Sequence, residues 1–422
     1  MASVLELTDN FFRHESGKVV ALLVKSLGPE HLQLAEDVVQ EALGKALKTW
    51  PFTGVPENPS AWITLTAKNL ALDALRRDQI FRRKQIQMFG AVHHWSGKVE
   101  EVELDNFGEE VEDALLRFMF VCCHPEIPEN TRHVLALKSL CGFSVREISH
   151  ALLSNEGTIG KRLTRAKERL AEGDISTTLP VGEELNIRLD GVLKTLYLLF
   201  NEGYKASTGE NLIREELCTE AIRLTSMLAR LSVGNRPRVH ALLSLMLLNN
   251  ARLGTRVDHE GNVLLLKDQD RSQWDRNLIA LGLFHLTRSA AGDELDTFHL
   301  QAAIAAVHCT SPDYEATNWN AILGLYDHML AIDPSPIVAL NRAVVVAQLQ
   351  GAEAGITAVE EIRGRDQLDS YYLLHAVLAD FESQLGRHSE AARLTEKAIS
   401  LTDSESEKVF LTRRREEFQA QI

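Results

Sequence analysis

Apolar residues in this chain recur at intervals of three and four almost everywhere, and period-two alternation of Val, Ile and Thr is nearly absent. That spacing gathers apolar side chains on one face of a helix and scatters them over both faces of a strand. The expected fold class is therefore all-α. At 422 residues the chain has room for about two to four domains of roughly 100–200 residues. No apolar run reaches the ~20 residues of a membrane span, so no membrane partner is expected. The opening MASVLELTDNFFRHESGK carries acidic residues early and lacks the apolar core of a secretory signal. Five scattered cysteines (Cys122, Cys123, Cys141, Cys218, Cys309) suggest no disulfide framework. A cytoplasmic location is expected, where thiols stay reduced.

The formal net charge of −14 argues against nucleic acid only if charge is spread evenly, and it is not. Residues 76–84 hold five basic residues and one acidic, and residues 156–170 hold five basic and two acidic. Between them, residues 98–113 hold eight acidic and one basic. Two basic helices flanking an acidic connector form an electrostatic footprint for DNA. Four pieces follow: a helical domain at 1–85, an acidic linker at 86–112, a small helical domain at 113–175, and a large helical domain at 183–422. Pro180 and Gly182 mark the hinge before the last.

In the first piece, residues 34–50 make an amphipathic helix. Leu34, Val38, Val39, Ala42, Leu43, Ala46 and Leu47 form its apolar stripe, with Asp37, Gln40, Glu41, Lys45 and Lys48 outside it. Glu41 and Lys45 are a favourable i,i+4 pair. A Pro/Gly-rich loop follows, and Asn58-Pro59 is a cap and first-turn signal. The next helix carries Ile63, Ala67, Leu70 and Ala74 on one stripe and Trp62, Thr66, Asn69, Asp73 and Arg77 on its neighbour. An aromatic, an amide and a basic end suit unstacked DNA: the ring replaces a lost base stack and the arginines hold phosphate. The competing reading makes Trp62 a core residue and the arginines a surface patch.

The segments AEDVVQEALGKALKTW and PSAWITLTAKNLALDALRR resemble the second conserved region of extracytoplasmic-function sigma factors. The resemblance implies that Asp37, Gln40 and Glu41 match positions that contact the β′ clamp helices of RNA polymerase. It likewise implies that Trp62, Asn69, Asp73, Arg76 and Arg77 match positions facing the −10 element, and that the loop 51–59 matches one that receives a flipped-out base.

Residues 129–170 read as a helix-turn-helix. Ser144 caps a short helix, a turn spans 154–157, and a basic helix at 158–170 carries Lys161, Arg162, Arg165, Lys167 and Arg169. Such a helix enters the major groove with its first turns toward base edges. The segment resembles the fourth conserved region of the same sigma factors, which implies −35 binding through Thr158, Lys161, Arg162, Arg165 and Lys167 and contact with the β flap. In such factors the linker threads basic polymerase channels; the alternative is a plain self-repelling linker.

The tail repeats itself. Gly351-Ala352-Glu353-Ala354 and Gly386-Arg387-His388-Ser389-Glu390-Ala391 start 35 residues apart, close to the period of tetratricopeptide repeats. The tail resembles the extension of a sigma-factor subgroup associated with small DGPF-type (YCII-related) proteins. Its signature residues are Asn201, Glu202, Tyr204, Asp268, Asp270, Arg271 and Trp274. Two positions depart from that pattern: Asn318, where an acidic residue is expected, and Phe298-His299, where a Tyr-Gln-like pair is. The signature residues read first as a hydrogen-bonded packing network and second as a ligand or partner pocket. There is no nucleophile motif, phosphate loop or spaced metal-ligand set, so neither an enzyme nor a cofactor is expected. Cys122 and Cys123 read as buried thiols. The function expected is a sigma factor binding core polymerase and promoter DNA, its activity controlled by its own tail. The alternative is a helix-turn-helix regulator with a tetratricopeptide sensor.

Overall fold

Helical periodicity carries through to the tertiary structure. The computed structural model describes residues 4–89, 107–152, 154–173, 175–206, 213–259 and 262–422, and among them the regular elements are helices. Extended backbone pairs once among these residues, in an isolated bridge between Val257 and Val263. The chain divides into two compact units, Met1–Leu196 and Tyr197–Ile422.

The first unit holds α1 (Val4–Leu27), α2 (Leu32–Thr53), α3 (Pro59–Phe89), α4 (Phe107–Cys122), α5 (Glu129–Ser139), α6 (Val145–Ala151), α7 (Glu156–Ala171) and the start of α8 (Gly182–Tyr204). α1 packs against both α2 and α4, and α2 packs against α3. Val20, Ala35, Val39, Ile63, Ala67, Leu116 and Phe120 lie at the centre of these contacts, all buried. Gly17 permits the approach of α1 to the end of α5: a Cβ there would lie 1.8 Å from the Leu140 carbonyl oxygen. Lys25 of α1 reaches Asp113 of α4 at 2.9 Å. Burial alone would raise the Asp113 carboxyl, but Arg117 and Lys25 outweigh it and hold the group below its usual range. α4, which charge and motif order place with the second domain, thus shares a core with α1. The central residues of the expected acidic linker, 90–106, lie outside the described residues; α3 runs on to Phe89 and α4 starts at Phe107.

Cys122 and Cys123 are fully buried, as thiols packed at the end of α4. Burial pushes Cys123 up to about 12, so it stays a neutral thiol.

The second unit runs from the end of α8 through α9 (Glu215–Arg230), α10 (Pro237–Asn250), α11 (Arg276–Ser289), α12 (Thr297–Thr310), α13 (Trp319–Ile332), α14 (Pro336–Gln350), α15 (Ala352–Glu360), α16 (Tyr372–Gln384), α17 (His388–Leu401) and α18 (Glu405–Gln419). α10 is buried all round from Val239 to Leu248, as a helix enclosed by neighbours must be; α9, α11 and α12 surround it. From α12 onward each helix packs against the next. The repeat glycines Gly351 and Gly386 sit at the turns with φ of 93° and 73°, a left-handed conformation that side chains disfavour. Asn318 caps α13 by accepting from the Ala321 N–H at 3.0 Å. An acidic residue there would accept the same bond, so this departure from the subgroup pattern leaves the helix start intact. At the other departure, His299 completes a capping box with Asp296 and Phe298 packs on Tyr197 at 5.4 Å.

Candidate nucleic-acid and polymerase interface

Asp37, Gln40 and Glu41 lie together on the exposed face of α2, while Val38, Val39, Ala42 and Ala46 are buried beneath them. Gln33 donates to Asp37 Oδ1 at 2.8 Å, and Lys45 pairs with Glu41 at 3.1 Å. Leu47, expected in the apolar stripe, is 47% exposed. At spacings of six and seven from Glu41 and Gln40 it falls on their face, so the buried stripe passes from Ala46 to Trp50 and the polar face gains an apolar member. Phe52, Val55 and Leu65 are exposed nearby in chain order, Phe52 by 90%. Such side chains are left in water only at a cost unless a partner covers them. The sequence carries no signal for them, because a Phe in the last turn of a helix belongs to no repeating stripe that would betray its exposure.

Asn58 starts α3 as expected, accepting from the Ala61 N–H at 3.0 Å. Ile63 and Ala67 are buried, with Leu70 and Ala74 half-buried, while Asn69, Asp73, Arg76 and Arg77 are exposed or partly so. Arg76 lies 3.5 Å from Asp73 Oδ1, and Arg77 donates to the Asp73 carbonyl. Both guanidiniums keep donors for another partner. Trp62 is half-buried, with its ring edge-on to Trp50 at 5.5 Å. It is therefore partly a core residue and partly a surface one: one side packs on α2 and the rest faces solvent. Side chains from Asp78 to the end of α3, including Arg82, Arg83 and Lys84, lie outside the described residues.

Ser144 and Glu147 cap α6 reciprocally: the Ser144 N–H donates to Glu147 at 2.6 Å, and the Glu147 N–H donates to Ser144 Oγ at 3.1 Å. Asn155 caps α7 by accepting from the Thr158 N–H at 2.8 Å, so that helix begins at Glu156, two residues earlier than the basic pattern indicated. Ile159, Leu163, Ala166 and Leu170 anchor it. Lys161 and Arg165 are exposed, with Thr158 and Arg162 half-buried beside them. Lys167 is not brought to this face. Its ammonium meets Glu36 of α2 at 2.5 Å and Gln33 at 3.1 Å. A two-residue step from Arg165 turns a helical side chain by about 200°, which is why one basic run serves two faces. Neither Glu36 nor Gln33 stood out in the sequence.

The tail signature splits into separate clusters. Arg271 is buried and donates to the His308 carbonyl at 2.9 Å, the Ser311 carbonyl at 3.2 Å and Thr317 Oγ1 at 3.1 Å. Trp274 is buried and donates to Thr255 at 3.0 Å. Asp270 is exposed and caps the turn at Arg271–Gln273; Asp268 is exposed. Elsewhere, Arg256 lies 3.7 Å over the Tyr204 ring and donates to the Tyr204 carbonyl. Glu202 is buried 3.8 Å from Arg214, and Asn201 is half-buried. These bonds tie helix ends and loops together, which is the packing-network reading.

Comparison with known proteins agrees with the two motifs. Residues 11–80 match sigma-70 region 2, and residues 117–170 match sigma-70 region 4. Residues 188–290 match a family of unknown function, DUF6596. Together the first two define a sigma factor of the sigma-70 class, a DNA-binding protein of promoter recognition and transcription initiation that acts with core RNA polymerase. The chain belongs to the extracytoplasmic-function type of that class. It is similar, at 36% identity over 381 residues, to an uncharacterized protein R00370 of Rhizobium meliloti (strain 1021), with 90% of this chain and 89% of that protein covered. No solved structure matches. Sigma-factor families are non-enzymatic. Among the described residues, no helix is long and apolar enough to cross a membrane.

Proposed function

We propose that the exposed face of α2, with Asp37, Gln40 and Glu41, docks on the β′ clamp helices, and that the exposed stripe of α3 holds the melted −10 element. Trp62 caps the unstacked bases, Asn69 and Asp73 face base edges, and Arg76 and Arg77 hold phosphate. The first turns of α7 enter the −35 major groove through Thr158, Lys161, Arg162 and Arg165, and this domain meets the β flap. Lys167 serves the contact between α7 and α2 before it serves DNA. The protein works in the cytoplasm, and its tail, a tetratricopeptide-like helical array, controls its activity. The pieces 1–85, 86–112, 113–175 and 183–422 are the functional divisions. The observation that carries this reading is the stripe on α3: polar and basic groups stay exposed beside a half-packed tryptophan, over a helix whose opposite face is buried. A regulator that binds only duplex DNA has no use for it.

In vitro transcription with core polymerase and a cognate promoter tests this. The full chain gives a specific transcript, and Arg76→Ala with Arg77→Ala abolishes it while the chain stays folded. A transcript unchanged by that double substitution contradicts the −10 assignment. Comparing the full chain with one ending at Leu196 gives the sign of control by the tail; equal output from both contradicts control.

A further inference from the structure

A cavity of about 230 Å³ lies in the second unit, bounded by α10, α12, α13 and the segment after α10. It is larger than a ~150 Å³ cavity, a size that accommodates benzene. One ring or a short chain with a small polar group therefore fits. Leu248, Leu266 and Ile304 supply apolar wall.

The polar wall holds more open donors than open acceptors: the Asn249 side chain is taken up by the Leu245 carbonyl, to which it donates at 2.9 Å, and by Arg252, from which it accepts. Arg252 has one hydrogen bond, a long 3.4 Å contact to Asn249 Oδ1, and no carboxylate partner among the described residues. Gln301 accepts from Tyr197 on Oε1 at 3.0 Å, which leaves its NH₂ to donate. The Tyr326 hydroxyl has no hydrogen-bond partner among the described residues, and burial pushes it up to about 12, so it keeps its proton. His308 is neutral because burial, then Arg252 and Arg271, push it down to about 4; its Nδ1 is buried without a partner. Among the described residues, no Asp or Glu lines the cavity. The neighbouring cation Arg271 is already committed to two carbonyls and Thr317. The Arg252 guanidinium lies 5.7 Å from the Tyr204 ring centroid but meets no carboxylate among the described residues, and an apolar space with such a cation and several neutral donors is complementary to a single negative charge on an apolar body.

We propose that this cavity binds a small organic carboxylate with one ring or a short aliphatic chain, its carboxylate held by Arg252 and Tyr326 and its body against Leu248 and Ile304. One guanidinium matches the single charge of a carboxylate; a phosphate monoester dianion would leave about one charge uncompensated in a half-buried site. The site lies outside both sigma regions, and binding is read without promoter or polymerase, so failure here leaves the sigma assignment untouched.

The test uses the full chain with benzoate, phenylacetate and hexanoate as probes and benzyl alcohol as the uncharged control, followed by calorimetry and ligand-observed NMR. At least one carboxylate binds saturably at one site, and benzyl alcohol binds at least about tenfold more weakly. Arg252→Gln weakens the carboxylate by about tenfold or more, and Tyr326→Phe weakens it severalfold. If Arg252→Gln does not fold, Tyr326→Phe decides. Three outcomes overturn the proposal: no saturable binding of any of the three carboxylates, equal binding of benzyl alcohol, or unchanged affinity in the folded variants.

Discussion

The Lys167 ammonium of α7 rests on the Glu36 carboxylate of α2, 2.5 Å from Oε2, while the Ser139 hydroxyl of α5 donates to the other oxygen of that carboxylate at 2.7 Å. Three helices of the first unit meet at one side chain. With side-chain exposures of 27% for Lys167 and 18% for Glu36, the pair is shielded enough to exceed a surface ion pair.

Glu36→Ala removes the acceptor for both partners and leaves the lysine partly desolvated. It is expected to destabilise the first unit by about 1–3 kcal/mol. A double-mutant cycle with Lys167→Ala in urea denaturation isolates the pair; a coupling within about 0.3–0.5 kcal/mol of zero would mean the two side chains act independently.

Trp62→Ala acts on two links at once. It removes a stacking surface worth about 1–3 kcal/mol per base and an edge-on contact with Trp50 worth about 0.5–1.5 kcal/mol. Open-complex formation, followed by permanganate reactivity near the start site, falls more than duplex binding does. Trp62→Phe keeps a ring in both roles and restores most of the reactivity. Normal reactivity in Trp62→Ala would remove the residue from the melting step.

Lys161→Ala together with Arg165→Ala is expected to weaken −35 binding and flatten its salt dependence. The slope of log affinity against log salt drops by about 0.9 for each phosphate that is no longer neutralised. Filter binding between low and physiological salt measures it. Lys167→Ala, directed at α2, leaves the slope unchanged, and a drop equal to that of Arg165→Ala would put Lys167 on the DNA.

The second unit is expected to lose stability in acid. His285 is pushed down to about 4 by burial, then by His240 and Arg288. Burial, then Arg288, lowers His240, whose Nδ1 lies 2.9 Å from the His285 Nδ1. One ring must accept from the other, so both cannot be protonated and keep that bond. A histidine with a depressed folded pKa binds more protons when unfolded, so stability rises with pH across the window and falls as pH drops from about 6.5 toward 4. Thermal melts over that range show the decline, and His285→Gln shallows it. An unchanged pH profile would clear the pair of any part in acid lability.

Two glycines of the second unit, Gly386 and Gly355, separate two causes of strain. Gly386 has φ of 73° and open space where a Cβ would be, so Gly386→Ala costs only backbone strain, about 1–2 kcal/mol. Gly355 lies inside α15, and a Cβ there would come within 2.5 Å of Ala347 Cβ and 2.9 Å of Phe381. Gly355→Ala is therefore expected to cost about 1–3 kcal/mol by overpacking. Partial relief of the second loss, and not the first, by Ala347→Gly, which removes the nearest contact, distinguishes them in urea titrations.

What the amino-acid order determined alone was local. Intervals of three and four set the helices, Asn58 and Ser144 set two of their starts, and two basic segments in the right order marked the DNA-binding regions. Each of these signals is complete within about one to five helical turns. Tertiary packing decided the rest. Leu47 left the apolar stripe because the buried face of α2 runs from Ala46 to Trp50, where Trp62 of α3 meets it. Lys167 turned from its basic neighbours to Glu36, 131 positions earlier. Arg252 from the segment after α10, Tyr326 from α13 and the pair Gln301 and His308 from α12 came to one cavity out of three separate parts of the chain. No periodicity links such residues; their meeting depends on the angles at which helices cross and on which side chains can approach, and packing sets those angles.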